Sequence, residues 1–356
     1  MIEQYFPLPL EEIINQYLLP LPEQVQVAIA LIHGEKKQFI GAERTREGIT
    51  YLDNRQKVFE IGSISKVFAA TLLAQAVDQG HVSLETPVQS LLPFKLRQSG
   101  LDGIEIALKH LANHTSGIAH HQPPLLSLNA ILRGHPWVPF QYFTQARFER
   151  YLKRRIKLTT TPGTKYFYSN LGMSLAGYAL AMNSGQNYDE MVHTQIFQPL
   201  GMNLSAMQVA IVQEHILPGW RKAGVRSPNW DFYALSPAGG VKTCVEDLAK
   251  FVDAQFSNTP AVSMTQTPTF KIDENRFVGL GWHISDRPTG ERWLNHGGGT
   301  LGYTANVLVD LEKKSAVIAL SNLNNINNWA QKLFDLTRDL LLFVESAAHR
   351  RIAMES

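Results

Sequence analysis

One cysteine, Cys244, in 356 residues rules out an intrachain disulfide. No apolar run reaches the roughly 20 residues that a membrane-spanning helix needs. Charge of one sign is not in excess either. The 33 basic and 31 acidic residues leave a net charge of +2, which gives no reason to expect a nucleic acid or an anionic membrane as partner. Internal repeats and low-complexity segments are absent, and Asn322 to Asn328 reads only as an Asn-rich helix entry. The N-terminus, Met1 to Phe6, lacks the basic start and long apolar core of a signal peptide. With Met1 as the natural start the chain is expected in the cytoplasm. With a leader removed ahead of it, the place would be periplasmic or extracellular. What remains is an ordinary globular composition, long enough for one large domain or two that share an interface.

Some local features have a structural reading. Lys153-Arg154-Arg155 follows an apolar stripe of Phe148, Leu152 and Ile156, so it reads as the solvated face of a helix. Cys244 opens an apparent helix and reads as a buried small residue rather than a nucleophile. His110, His114, His120 and His121 lie close in sequence. No carboxylate or cysteine joins them at ligand spacing, so neither metal nor cofactor is expected.

The order of patterns sets the architecture. Residues 9–19 have helical spacing. Val25 to Ile32 and Gln38 to Ala42 read as a hairpin across His33-Gly34-Glu35-Lys36. Helical patterns separated by Pro and Gly loops dominate from about 84 to 235. Strands return at Phe277 to Ser285, Arg292 to His296, Ala305 to Val309 and Ala316 to Leu320. A last helix carries Trp329, Leu333, Leu336, Leu340 and Phe343 on one face. This order predicts an α/β (α+β) fold with a central antiparallel sheet. Residues 1–83 and 236–356 would form the sheet domain, and 84–235 an inserted helical domain. Alternating parallel βαβ units are not in evidence, which counts against a dinucleotide fold.

The helix from Ile64 to Val77 is apolar nearly all round, the mark of a buried helix, yet it opens on two serines and a lysine. Ser63 and Lys66 are three apart and share one face. An amine held against a serine in apolar surroundings can activate a weak nucleophile. The plain alternative makes Ser63 an N-cap and Lys66 a snorkelling surface residue.

Two later stretches weigh on that choice. Ser63-Ile64-Ser65-Lys66, Tyr168-Ser169-Asn170 and His296-Gly297-Gly298 resemble, in order and separation, the three boxes of serine β-lactamases and penicillin-binding proteins. The forms Tyr-x-Asn and His-x-Gly resemble the class C β-lactamase and DD-peptidase branch, which includes β-lactamase-like esterases. The likeness runs over about residues 25–322. It implies a β-lactamase/transpeptidase-like fold with the active site in the cleft between the two domains. It also implies a serine hydrolase acting through an acyl-enzyme on Ser63, with Lys66 and Tyr168 sharing the role of base. Asn170 would hold Lys66 and the substrate amide, and His296 would supply positive charge when protonated. Gly298 and Gly299 would let substrate lie against backbone, and Gly299 N–H with Ser63 N–H would form an oxyanion hole. The substrate would be a small molecule or peptide carrying an ester, amide or peptide bond. One position departs from the pattern. Where the family commonly has Thr or Ser, which helps bind a carboxylate, this chain has Gly297. That weakens the β-lactamase and D-alanyl-D-alanine carboxypeptidase readings and favours an esterase or amidase. A catalytically idle scaffold of the same fold is the rival from another class.

Overall fold

The apolar runs at the two ends of the chain meet in one sheet. The structure is a computed structural model that describes residues 8–118 and 137–355. Helix α1 (Leu8–Leu18) precedes β1 (Gln26–His33), β2 (Lys36–Thr45) and β3 (Gly48–Leu52). The short β4 (Val58–Glu60) then leads to α2 (Ser65–Asp78). Helices α3 (Leu108–Ala112), α4 (Gln145–Arg154) and α5 (Asn170–Ser184) follow. A single helical turn, α6 (Ser236–Gly239), leads to β5 (Lys242–Cys244), α7 (Val245–Ala254) and α8 (Pro260–Gln266). Strands β6 (Phe270–Lys271), β7 (Arg276–Val278), β8 (His283–Asp286), β9 (Arg292–Gly299), β10 (Thr304–Asp310) and β11 (Ser315–Ser321) come next, and α9 (Trp329–Glu355) is last. Two short hairpins, at residues 100–105 and 220–226, sit among the helical segments.

Among the described residues, nine strands form one sheet in the order β6-β7-β8-β9-β10-β11-β1-β2-β3. Every pairing is antiparallel, and β1 joins the two ends of the chain by pairing with β11, Val27 opposite Ser321. The middle strands are buried on both faces because helices cover each side. Val27, Ile29 and Leu31 pack with α1 and α9, and the alternate residues Ala28, Ala30 and Ile32 pack with α2 and α7. On α9, Trp329, Leu333, Leu336 and Leu340 supply the buried stripe. On α4, Phe148 and Leu152 are buried, so the basic run ending that helix faces outward as expected. Cys244 is the buried N-cap of α7, accepting from Asp247 N, and burial pushes its thiol up to about 12. Among the described residues no helix is long and apolar enough to cross a membrane.

One expected strand is two. Phe277 to Ser285 breaks into β7 and β8 at a turn closed by Gly279 N donating to Trp282 O. Gly281 has φ +75°, and a Cβ there would come within 2.9 Å of Ala70 Cβ and the Lys66 carbonyl. Its missing side chain lets the turn press against α2.

Helix α2 is the buried centre, with every residue from Ser65 to Ala74 shielded from solvent. Phe68 stacks on Phe251 of α7 with centroids 3.9 Å apart. The turn ahead of α2 meets the end of β9 backbone to backbone. A Cβ on Gly62 (φ +49°) would fall 2.6 Å from Gly299 N, and one on Gly298 would fall 1.9 Å from Ile61 O. Gly298→Ala should therefore cost on the order of 1–3 kcal/mol of stability by overpacking. Gly297→Ala, where a Cβ meets nothing nearer than 3.6 Å, should cost little. Equal small shifts in both denaturant melts would contradict the close approach.

Candidate active site

Ser63 lies in a 3-10 turn, Gly62–Ile64, just ahead of α2. It does not cap the helix, because the N-cap position belongs to Ile64, which makes no side-chain cap bond. Ser65 does the tying instead. Its Oγ donates to Gly62 O (2.7 Å) and accepts from Val241 N (3.0 Å). The Ser63 hydroxyl is thereby left for other partners.

Lys66 is fully buried one turn later, with Nζ 3.1 Å from Ser63 Oγ and donating to Ala238 O at 2.7 Å. Among the described residues no carboxylate pairs with it, and burial holds its pKa well below that of an ordinary lysine. The contrast with Lys242 is instructive. That lysine is equally buried but has the Asp231 carboxylate 3.1 Å away. Tyr168 shares a hydrogen bond with Ser63, and its ring centroid is 4.8 Å from Lys66 Nζ. Burial raises the Tyr168 phenol above its usual value, so the resting tyrosine keeps its proton. Of the two candidate bases, Lys66 is the one whose surroundings favour the unprotonated form.

Asn170 is the first residue of α5, and its Oδ1 is buried without a hydrogen-bond partner. No bond joins it to Lys66. The Ala238 carbonyl takes the holding place expected for Asn170. His296 on β9 is buried, with Nδ1 2.7 Å from the Gly297 carbonyl, so Nδ1 carries the proton and Nε2 is a lone pair without a partner. Burial lowers its pKa well below an ordinary histidine, helped by His283 and Lys66. The positive charge expected of His296 is therefore not present at neutral pH.

The end of β9 is open on one side. Strand β8 accompanies β9 only as far as His283 opposite Asn295. On the other side Thr300 N bonds to Tyr303 O, which makes Gly298 and Ala305 a hydrogen-bonded pair in the same register. The alternation of an antiparallel ladder then turns the N–H and C=O of Gly297 and Gly299 toward the open edge. The turn that carries Ser63 lies against this end of β9: a Cβ on Gly62 would meet Gly299 N, and one on Gly298 would come within 3.1 Å of Ser63 N.

The model of the β-lactamase family matches residues 16–341. The chain belongs to the β-lactamase family. It is 25% identical to a β-lactamase of Escherichia coli (strain K12) over 90% of this chain and 91% of that one. It is 26% identical to the D-alanyl-D-alanine-carboxypeptidase/endopeptidase AmpH of the same strain, over 88% and 84%. In fold it resembles a class C β-lactamase solved in complex with cefoxitin, with TM-score 0.76 and 22% identity over 93% and 99% of the two chains. It also resembles the octameric penicillin-binding protein homologue from Pyrococcus abyssi, with TM-score 0.77 and 24% identity over 93% and 77%.

For a β-lactamase-family chain, several neighbours of the serine were not picked out from sequence. The Ala238 carbonyl is one, a backbone group on the single turn of α6. His283 had no signal in the sequence, because only strand register sets it beside His296, with ring centroids 5.2 Å apart. Its Nε2 is 2.8 Å from the Tyr166 hydroxyl, and its ring lies parallel to that of Tyr168. His110 and His114 are engaged with backbone, accepting from Ala107 N and Ser169 N, while His120 and His121 lie outside the described residues.

Burial, with the charges of Lys66 and Arg276, lowers His283 to about 4. The unfolded histidine titrates near 6.5. Its contribution to stability should thus be full above about 6.5 and drain away as pH falls toward 4. NMR titration of the imidazole should place its midpoint in that acid range. A native His283 midpoint above 6 would sink this account of its surroundings.

Proposed function

We propose that this chain is a serine hydrolase that forms an acyl-enzyme on Ser63 and hydrolyses an ester or amide bond. The site would lie in the cleft between the sheet-bearing part (1–83 and 236–356) and the helical insert (84–235). The observation that carries the reading is the Lys66 amine: buried, without a carboxylate partner among the described residues, and 3.1 Å from Ser63 Oγ.

In the first step Ser63 Oγ bonds to the substrate carbonyl carbon. Its proton passes to Lys66, directly or through the Tyr168 hydroxyl. The carbonyl oxygen becomes an oxyanion between Ser63 N–H and Gly299 N–H. The bond to the leaving group then breaks, and the leaving group takes the proton back from Lys66 and Tyr168. Water repeats the sequence in reverse and frees Ser63. The substrate's backbone-like edge would lie along Gly297 and Gly299. Asn170 would meet the substrate without also holding Lys66.

Two relatives named above are a β-lactamase and a D-alanyl-D-alanine-carboxypeptidase/endopeptidase. Gly297 and the neutral His296 favour neutral esters and amides over such carboxylate-bearing substrates in this chain. A hydroxyl donor is missing at one position and a cation at the next.

A fluorophosphonate probe should label wild type and not Ser63→Ala. Absence of labelling in folded wild type would favour an idle scaffold. Lys66→Ala and Tyr168→Phe should each slow acylation at least about a hundredfold. The rate should also decline as pH drops through the lowered pKa of Lys66. Wild-type rates in both variants would remove these residues from the mechanism. A Cβ at Gly297 would meet nothing nearer than 3.6 Å, and Gly297→Thr should raise turnover of carboxylate-bearing substrates relative to neutral esters. An unchanged ratio in a panel of p-nitrophenyl esters, nitrocefin and D-alanyl peptides would refute the role given to the missing hydroxyl.

A further inference from the structure

Beside Ser63 lies a cavity of about 190 Å³. Phe140, Trp230, Phe232 and Leu235 line it together with Ser63, Asn170 and otherwise only glycine or alanine. No charged side chain lines it among the described residues. The three rings are already arranged as aromatic neighbours. Phe140 stacks on Phe232 with centroids 4.8 Å apart, and Trp230 meets Phe140 edge-on at 4.9 Å.

This wall is held from behind by the strand that leads to the nucleophile. Glu60, the last residue of β4, is buried and accepts from Trp230 N (2.7 Å) and Asn229 Nδ2 (2.9 Å). The Trp230 indole N–H donates to the Trp137 carbonyl at 2.6 Å, which fixes the plane of the ring. Its apolar body is then free to face the cavity. The nearby cation Lys242 is paired with Asp231 and does not line the space.

We propose that this cavity receives the acyl part of the substrate and selects an uncharged aromatic group, an arylacetyl ester or amide being the class that fits. The proposal rests on the acyl-enzyme reading of Ser63. A ring placed here continues the existing edge-and-face packing and leaves its carbonyl beside Ser63 and Asn170. A carboxylate placed here would lose its water and find no cation. Trp230 is the specificity-determining residue, and Glu60 positions it.

The test keeps one leaving group and varies the acyl group: p-nitrophenyl acetate, phenylacetate and monosuccinate. Wild type should show kcat/KM for phenylacetate at least about tenfold above acetate, with the succinate below both. Trp230→Ala should cut the phenylacetate-to-acetate ratio about tenfold, and Trp230→Phe should keep most of it. A wild-type ratio near one, a preference for the succinate, or an undiminished ratio in folded Trp230→Ala would overturn the proposal. A second arm needs no catalysis. Saturation-transfer NMR should detect phenylacetamide on Ser63→Ala and lose it when Trp230→Ala is added. Trp230-dependent binding without turnover of any ester would uphold the pocket and defeat the acyl-enzyme reading. Ester turnover with a flat acyl profile and no such binding would do the reverse.

Discussion

A lysine amine taken out of water without a carboxylate is the constraint around which this molecule is arranged. A charged ammonium is unfavourable in such a place, and burial lowers the pKa of the amine well below that of an ordinary lysine. Lys66 is held there by the whole of α2, whose other faces are filled by the sheet, α7 and the β7–β8 turn. The Ala238 carbonyl fixes the direction of the amine without supplying a countercharge. Lys242, as deeply buried, shows the opposite solution: a carboxylate beside it makes a structural ion pair. The difference between the two lysines is one acidic neighbour.

The electrostatics of the surrounding site follow the same rule. Tyr168 is kept as a phenol, and His283 and His296 as neutral imidazoles, all chiefly by burial. Polarity at the serine therefore comes from N–H and C=O dipoles whose directions are set by the turn and the strand. Such groups need little reorganisation when charge develops on a substrate oxygen. The tight fit of Gly62 against Gly299 keeps them aligned.

Much of this was legible in the sequence because it is local or periodic. The three-residue spacing of Ser63 and Lys66, the all-round apolar α2 and the β10–β11 hairpin needed no knowledge of partners. The split at Gly279 to Gly281 was missed because Phe277 to Ser285 holds the composition of a strand, and only docking onto α2 makes the turn intelligible. Asn170 was expected to hold Lys66, whereas the Ala238 carbonyl accepts from it, and a backbone carbonyl carries no letter of its own. His283 became visible only through register, and the aromatic wall only when residues 140, 230 and 232 were brought together from separate segments.

The open edge of β9 has a consequence for how such a site can change over time. On the proposed reading, the groups that would face a substrate there are peptide N–H and C=O, common to every residue except proline. Substitutions in the wall at 140, 230 and 232 can alter which molecules are accepted without rewriting the chemistry. In the proposed enzyme, selectivity and reactivity would thus be nearly separate modules. Glu60 is the exception, since a single carboxylate grips the wall while its own strand delivers the serine. A mutation there would be expressed in both traits at once.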